Sequence, residues 1–289
     1  MFVINGTSKL TKVLLSSPEY LISPAPINEI SKKYAGQPLD RAKMMREYQS
    51  LIETYHKFDI EVVEKAADAQ TPNSVFARDF GGCIKEGYIL GRFKKSIREQ
   101  ERQQYAAKMQ ALGIPKIAEV KNGYFEGGDF AFLDEKTIAI GQIDRTDETG
   151  INEIRDQLAP LGYAVYAVPA NPDYLHLDMC FNLVAPKIAI AYLEGLPEAF
   201  IALLREKEIE VIAGDESLIY QHGYNVQAIG DNRVLSLAQN TEMNRKMREK
   251  GLTVIEVDIT ELLKAGGGIH CMTFPLARID EVEVEEKAG

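Results

Sequence analysis

The chain has 289 residues, of which 45% are hydrophobic and 26% charged, and its formal net charge is −10. Such a composition belongs to a soluble globular protein with a substantial core. The negative balance argues against nucleic acid as the main ligand, because phosphate binding needs a basic surface. No apolar run approaches the ~18–20 residues of a membrane span, and the N-terminal stretch lacks the basic and apolar regions of a signal peptide, so no membrane partner is expected. Cys83, Cys180 and Cys271 are too few and too scattered for a disulfide framework or a thiolate zinc site, which points to a reducing cytoplasm.

Hydrophobic periodicity predicts a strand over 12–16, a helix over 39–58 and a strand over 60–63. A strand over 88–90, a helix over 96–112 and a strand over 137–141 follow. Next come a helix over 151–161, a strand over 164–168 and a strand over 188–192. A helix over 197–207 and a strand over 210–213 come after these, then a strand over 233–236, a helix over 241–250 and a strand over 253–257. Residues 280–287 alternate acid with valine and then turn polar, as in a short edge strand or a tail. The loop 16–28, rich in Ser and Pro, is a candidate lid. Helices recurring every ~45–55 residues between strands indicate a structural repeat, compatible with an open α/β sheet or a circular array. No GxGxxG or phosphate-loop fingerprint is present, so a nucleotide-binding enzyme is disfavoured.

Four segments concentrate ionisable residues, three of them together with glycine. The first runs Pro72-Asn73-Ser74-Val75-Phe76-Ala77-Arg78-Asp79-Phe80-Gly81-Gly82, and the second is Tyr124-Phe125-Glu126-Gly127-Gly128-Asp129-Phe130. The third is His176-Leu177-Asp178-Met179-Cys180-Phe181. The fourth, Gly266-Gly267-Gly268-Ile269-His270-Cys271, sets a thiol at the end of a glycine run that permits positive φ and close approach to a ligand. Read as a strand, His176 and Asp178 share one face, whereas His270 and Cys271 point apart. His176 is therefore the expected partner of the thiol, and His270 a structural residue. Only four histidines are present, none at ligand spacing from His176, so no metal is expected. One thiol, one imidazole and several carboxylates suit a planar cation attacked at its central carbon. A guanidinium fits, because carboxylates bind it bidentately.

In this order the four segments resemble those of the guanidino-group-modifying enzymes: arginine deiminases, dimethylarginine dimethylaminohydrolases and amidinotransferases. The likeness runs from about Val13 to Arg278. It implies a five-bladed, pseudo-symmetric α/β propeller of repeated ββαβ units, with residues 1–289 as one catalytic domain. It also implies that Cys271 is the nucleophile, that His176 protonates the leaving amine and then activates water, and that Asp79 and Asp178 clamp the guanidinium. Glu126 would orient His176 or bind substrate, with Asn73 and Asp129 on the substrate side. Arg98 and Arg145 match positions that grip an α-carboxylate, although residue by residue they read as a solvated helix face and a loop arginine. Asp178 departs from the dimethylarginine hydrolases, which carry no carboxylate there, and Asp79 departs from the arginine dihydrolases, which carry asparagine. The inserted helical domain of longer arginine deiminases is missing, which leaves homo-oligomerisation open. The expectation is an arginine-deiminase-like hydrolase yielding citrulline and ammonia without metal or organic cofactor. The alternatives are a methylarginine hydrolase, an arginine dihydrolase, an amidinotransferase and a non-catalytic arginine-binding protein.

Overall fold

A computed structural model of the chain describes residues 2–21, 32, 34 and 36–280. The segment 22–28 of the expected lid and the tail beyond 280 lie outside these residues. Described strands form five three-stranded sheets, all built alike. In each, an innermost strand pairs antiparallel with a middle strand, and the middle strand pairs parallel with an outer strand reached through a helix.

The first sheet holds β1 (Lys9–Ser16), crossover helix α1 (Arg41–His56) and β2 (Glu61–Lys65). The second holds β3 (Gly81–Ile84), β4 (Gly87–Leu90), α2 (Glu99–Ala111) and β5 (Lys116–Glu119). The third holds β6 (Phe130–Phe132), β7 (Thr137–Gln142), α3 (Glu148–Leu158) and β8 (Ala164–Pro169). The fourth holds β9 (Phe181–Ala185), β10 (Ile188–Ala191), α4 (Glu198–Glu206) and β11 (Glu210–Ala213). The fifth holds β12 (Gln227–Gly230), β13 (Arg233–Leu237), α5 (Thr241–Glu249) and β14 (Thr253–Val257). After the short helices α6 (Glu261–Lys264) and α7 (Ile269–Met272), the last strand β15 (Phe274–Ile279) returns to pair with β1. That pairing closes the ring, and the fold is the expected five-bladed α/β propeller.

Helix starts follow from local chemistry. Asp40 accepts from the Lys43 backbone N–H at 3.0 Å, and Asp147 from that of Gly150 at 2.8 Å. Each such cap is worth about 1 kcal/mol. Each helix buries one stripe, in α3 the residues Ile151, Ile154 and Leu158. All five predicted helices and all nine predicted strands have counterparts here, while β5 and every innermost strand were missed. The innermost strands are short and buried on both faces, as in β9 and β12, where every residue is buried. Without a solvated face there is no period-two alternation to read.

Four of the five innermost strands, all but β12, directly follow a tight turn, and these turns carry the polar segments. The turns are Ala77–Phe80, Gly127–Asp129, Leu177–Met179 and α7. Phe80 anchors the first of them, stacked at 4.3 Å on Tyr105 of α2 and at 4.2 Å on Phe274 of β15. Burying such a ring contributes about 1.5–3 kcal/mol, so Asp79 sits beside one of the firmer points of the core.

Candidate active site

Leu177–Met179 is a 3-10 turn, so the expected strand-face argument for His176 and Asp178 does not hold. The turn still delivers both residues. His176 is extended at the turn's start, and the residue before it, Leu175, has φ 70° and ψ −64°. His176 N–H bonds to Tyr174 carbonyl at 2.9 Å, closing a three-residue γ-turn of the strained positive-φ kind. Strain of that sort is tolerated only where the surroundings over-determine it. Gly128 is part of those surroundings, because a Cβ there would lie 2.6 Å from His176 Nδ1.

Phe76, Asp79, Arg98, Arg145, Leu175, His176, Gly266, Gly267 and Cys271 line one small cavity of about 10 Å³. That is room for about one water, so any larger ligand requires this pocket to open. His176 Nε2 lies 3.2 Å from Glu126 Oε2, and its Nδ1 faces Asp79 Oδ1 at 3.9 Å. Arg98 Nη1 bonds to Asp79 Oδ2 at 2.5 Å, and Arg145 Nη1 lies 3.4 Å from Glu126 Oε2. Both arginines are buried at 1% exposure, which excludes a solvated helix face for Arg98, while Arg145 is a loop arginine turned inward. Asp178 Oδ2 accepts from His270 Nδ1 at 2.8 Å and lies 3.7 Å from Cys271 Sγ. Three buried polar atoms around this centre have no hydrogen-bond partner: Asp79 Oδ1, Asp178 Oδ1 and His176 Nδ1.

Asp129 does not face the cavity. Its Oδ2 accepts from Thr146 Oγ1 at 2.6 Å and its Oδ1 from Leu177 N–H at 2.9 Å. Thr146 Oγ1 in turn accepts from Glu126 N–H at 3.2 Å. Asp129 thus ties the Glu126 and His176 turns together, a correction to its expected place on the substrate side. Asn73 is buried outside the cavity lining, and its carbonyl accepts from Arg98 Nη2 at 3.4 Å. His270 sits on a helical turn, not a strand, and its Nδ1 is spent on Asp178.

Charge sets the protonation of these groups. Burial lowers His176, but Asp79, Asp129 and the Glu126 hydrogen bond outweigh it and raise the imidazole to about 10. Burial likewise pulls Glu126 upward, and the His176 bond with the charges of Arg145 and Arg98 holds it at about 2. Burial lifts Asp79 above the usual carboxylate range against the pull of Arg98 and His176, and lifts Asp129 to about 7. His270 is pushed down to about 4 by burial and by Arg78, so it is neutral. The Cys271 thiol is pushed well up by burial and by the carboxylates of Asp178 and Asp79.

Two supporting residues escaped the sequence reading. Glu101 accepts from Arg98 Nε at 3.0 Å and from its Nη2 at 2.7 Å. Its signal was present: an acid at the head of the buried stripe Glu101, Tyr105, Met109 of α2. Asn225, just before β12, donates from Nδ2 to Cys271 Sγ at 3.1 Å. Its Oδ1 accepts from the backbone N–H groups of His270 at 3.1 Å and Cys271 at 3.3 Å. One side chain therefore fixes the turn and supplies a donor to the sulfur. The glycine run serves this approach, since a Cβ on Gly268 would stand 2.5 Å from Asn225 Oδ1. Asn225 lowers the Cys271 pKa against the larger upward push of burial. Asn225→Ala should therefore raise that pKa, slowing alkylation of Cys271 by iodoacetamide at fixed pH by about tenfold per pKa unit. An unchanged alkylation profile would show that the amide does not stabilise the thiolate.

Five matching blades, with polar turns converging on a thiol, an imidazole and paired carboxylates, define a guanidino-group-modifying enzyme. Residues 17–278 match the family described as N,N dimethylarginine dimethylhydrolase, eukaryotic, and the chain belongs to that family of guanidino hydrolases. Among curated relatives, protein YkgA of Bacillus subtilis is 28% identical, the alignment covering 93% of this chain and 92% of that one. The arginine deiminase of Limosilactobacillus reuteri is 27% identical over 91% of this chain and 73% of its own. The N-terminal domain of ArgZ, a cyanobacterial arginine dihydrolase solved with a covalently bound reaction intermediate, superimposes with a TM-score of 0.82. It shares 21% identity, with 92% of this chain and 98% of that one covered, a likeness that shows the fold. No helix among the described residues is long and apolar enough to cross a membrane.

Proposed function

We propose that the protein hydrolyses free arginine to citrulline and ammonia through a covalent adduct on Cys271. The observation that carries this reading is the set of unpartnered buried atoms, Asp79 Oδ1, Asp178 Oδ1 and His176 Nδ1, gathered about Cys271. Buried polar groups are left without partners at a cost, and a ligand that supplies donors to both carboxylates removes it. A guanidinium does so along two edges at once, and its charge also offsets the carboxylate field that keeps Cys271 protonated.

The thiolate then attacks the guanidinium carbon. The C–N bond to the terminal nitrogen breaks as that nitrogen takes a proton from the His176 imidazolium and leaves as ammonia. Neutral His176 next accepts a proton from water, whose oxygen attacks the thioether-bound amidino carbon. The C–S bond breaks as the remaining hydroxyl proton passes to solvent, where it protonates the released ammonia, and citrulline departs with the sulfur returned as thiolate. Glu126 keeps His176 oriented and charged for the first transfer, while Arg98 and Arg145 hold the α-carboxylate in the opened pocket. Fixing the electrophile against the sulfur supplies much of the rate advantage.

The family match favours a second reading, in which a methylated arginine is cleaved to citrulline and a methylamine. Asp178 opposes it, because its carboxylate beside Cys271 leaves little space for methyl groups. Incubation with arginine, monomethylarginine and asymmetric dimethylarginine separates the two. Citrulline and ammonia from arginine are expected. Turnover of the methylated substrates alone would move the assignment to the second reading. Ornithine as product would mark a dihydrolase. No turnover of any guanidine, with or without an added amine acceptor, would sink the enzymatic proposal.

A further inference from the structure

A second cavity, larger than the one beside Cys271, lies at the centre of the fold. It runs along the axis of the ring, where Cys83, Phe130, Asn182, Gln227 and Arg278 bring in one residue from each innermost strand. Its volume is about 50 Å³, space for a few waters or one small ion. Asp178 and His270 line it too, so the axial cavity and the Cys271 pocket meet at that pair.

Two arginines line this cavity, with exposures of 7% for Arg78 and 2% for Arg278. Their hydrogen bonds go to neutral oxygens. Arg78 donates to His270 carbonyl at 3.4 Å and Gln227 Oε1 at 3.0 Å. Arg278 donates from Nη1 to Ser8 carbonyl at 2.5 Å and from Nη2 to Ala228 carbonyl at 2.6 Å. Arg278 Nε is buried with no partner. Among the described residues, neither arginine has a carboxylate within 4.0 Å. Asp178 is the main acid acting on Arg78, whereas no carboxylate ranks among the influences on Arg278. Burial and the neighbouring charge of Arg78 push Arg278 down to about 9.

A buried cation with an orphaned donor is costly unless an opposite charge joins it. We infer that the axial cavity is a binding site for a small monovalent anion, of chloride or formate size, held by Arg278 Nε and the field of Arg78. A guanidinium is the side chain best suited to this, being planar and charged at neutral pH with several donors. The alternative, that Arg278 only ties Ser8 to Ala228 across the first and fifth sheets, accounts for Nη1 and Nη2 but leaves Nε and the charge unexplained. The site is independent of which guanidine is cleaved.

Thermal midpoints measured in sodium chloride, formate and gluconate at one ionic strength test this, because gluconate is too large for the cavity. Chloride, formate or both should raise the midpoint saturably over gluconate, by about 5 °C at a hundredfold excess over Kd. A response to chloride alone identifies a halide site, and a response to formate identifies a carboxylate site. Arg278→Met should abolish the difference among the salts. Equal midpoints in all three salts, or the same response in Arg278→Met, would overturn the inference. Should that variant not fold, wild-type crystals grown in sodium bromide decide the matter. An anomalous peak beside Arg278 Nε supports the site, and its absence while other bromides are seen overturns it.

Discussion

Cys271→Ser should lower turnover of the guanidino substrate by about 10⁴-fold or more while leaving the fold intact, because an alkoxide is far harder to form than a thiolate at neutral pH. The substitution is nearly isosteric, and Asn225 can still donate to the new oxygen. Circular dichroism and the thermal midpoint should therefore match wild type. Intact mass after incubation with substrate gives a second readout. Wild type stopped by acid during turnover should carry the mass of an amidino adduct, and Cys271→Ser should not. Retained activity, or an adduct that survives the substitution, would place the nucleophile elsewhere.

His176→Gln should cost about 10²–10⁴-fold in kcat, the usual range for a lost general acid and base. Glutamine can still bond to Glu126 but cannot cycle a proton, so any adduct that forms should persist and accumulate in the mass spectrum. Stability supplies an independent check. With its folded pKa near 10, the imidazolium stabilises the folded chain fully below its unfolded value of 6.5. That contribution is lost as pH rises through about 10. Glu126, held at about 2 against an ordinary 4.5, behaves in the opposite sense. Its contribution is full above 4.5 and fades as pH falls toward 2. Wild type should therefore lose stability relative to His176→Gln between about pH 6.5 and 10. Parallel stability curves over that window would contradict a charged His176 in the folded protein.

The electrostatics also explain why the resting thiol is unreactive and the bound one need not be. Burial first, then Asp178 and Asp79, raise the Cys271 pKa, and in the proposed complex the guanidinium sits against both carboxylates. In the proposed mechanism the substrate removes the penalty on its own nucleophile, so the thiolate forms chiefly in the complex. Cys83 has no such carboxylates beside it, and Cys180, which feels Asp129 and Asp178 as well as burial, lies outside the pocket. Burial pushes both thiols up, and neither lines the pocket of Cys271.

The sequence by itself determined the kinds of chemistry available and much of the framework. Helices and outer strands keep exposed residues and so show a period, and the middle strands, though buried, are legible as β-branched and aliphatic runs. Glycine near Asp79, Glu126, Asp129 and Cys271 marks three of the turns, and the His176-Leu177-Asp178 triplet marks the fourth. These polar residues recur at intervals of roughly 50 residues, and Asn225 falls at the one remaining step of that series. Gly223 stands two residues before it, but no ionisable pair or Gly-Gly marks the segment, so only the spacing points to it.

Only the tertiary structure decided who meets whom. Asp178 reaches His270 and Cys271 from more than ninety residues away in the chain, and Asn225 reaches the same cysteine from 46. Closure of the ring by β15 on β1 makes these encounters, and no local pattern encodes that closure. It also turned Asp129 inward to tie two turns together, placed Arg98 on Asp79, and drew Arg78 and Arg278 to the axis. The innermost strands that aim these groups are short and largely dry, β9 and β12 on both faces, and so leave little trace in the sequence.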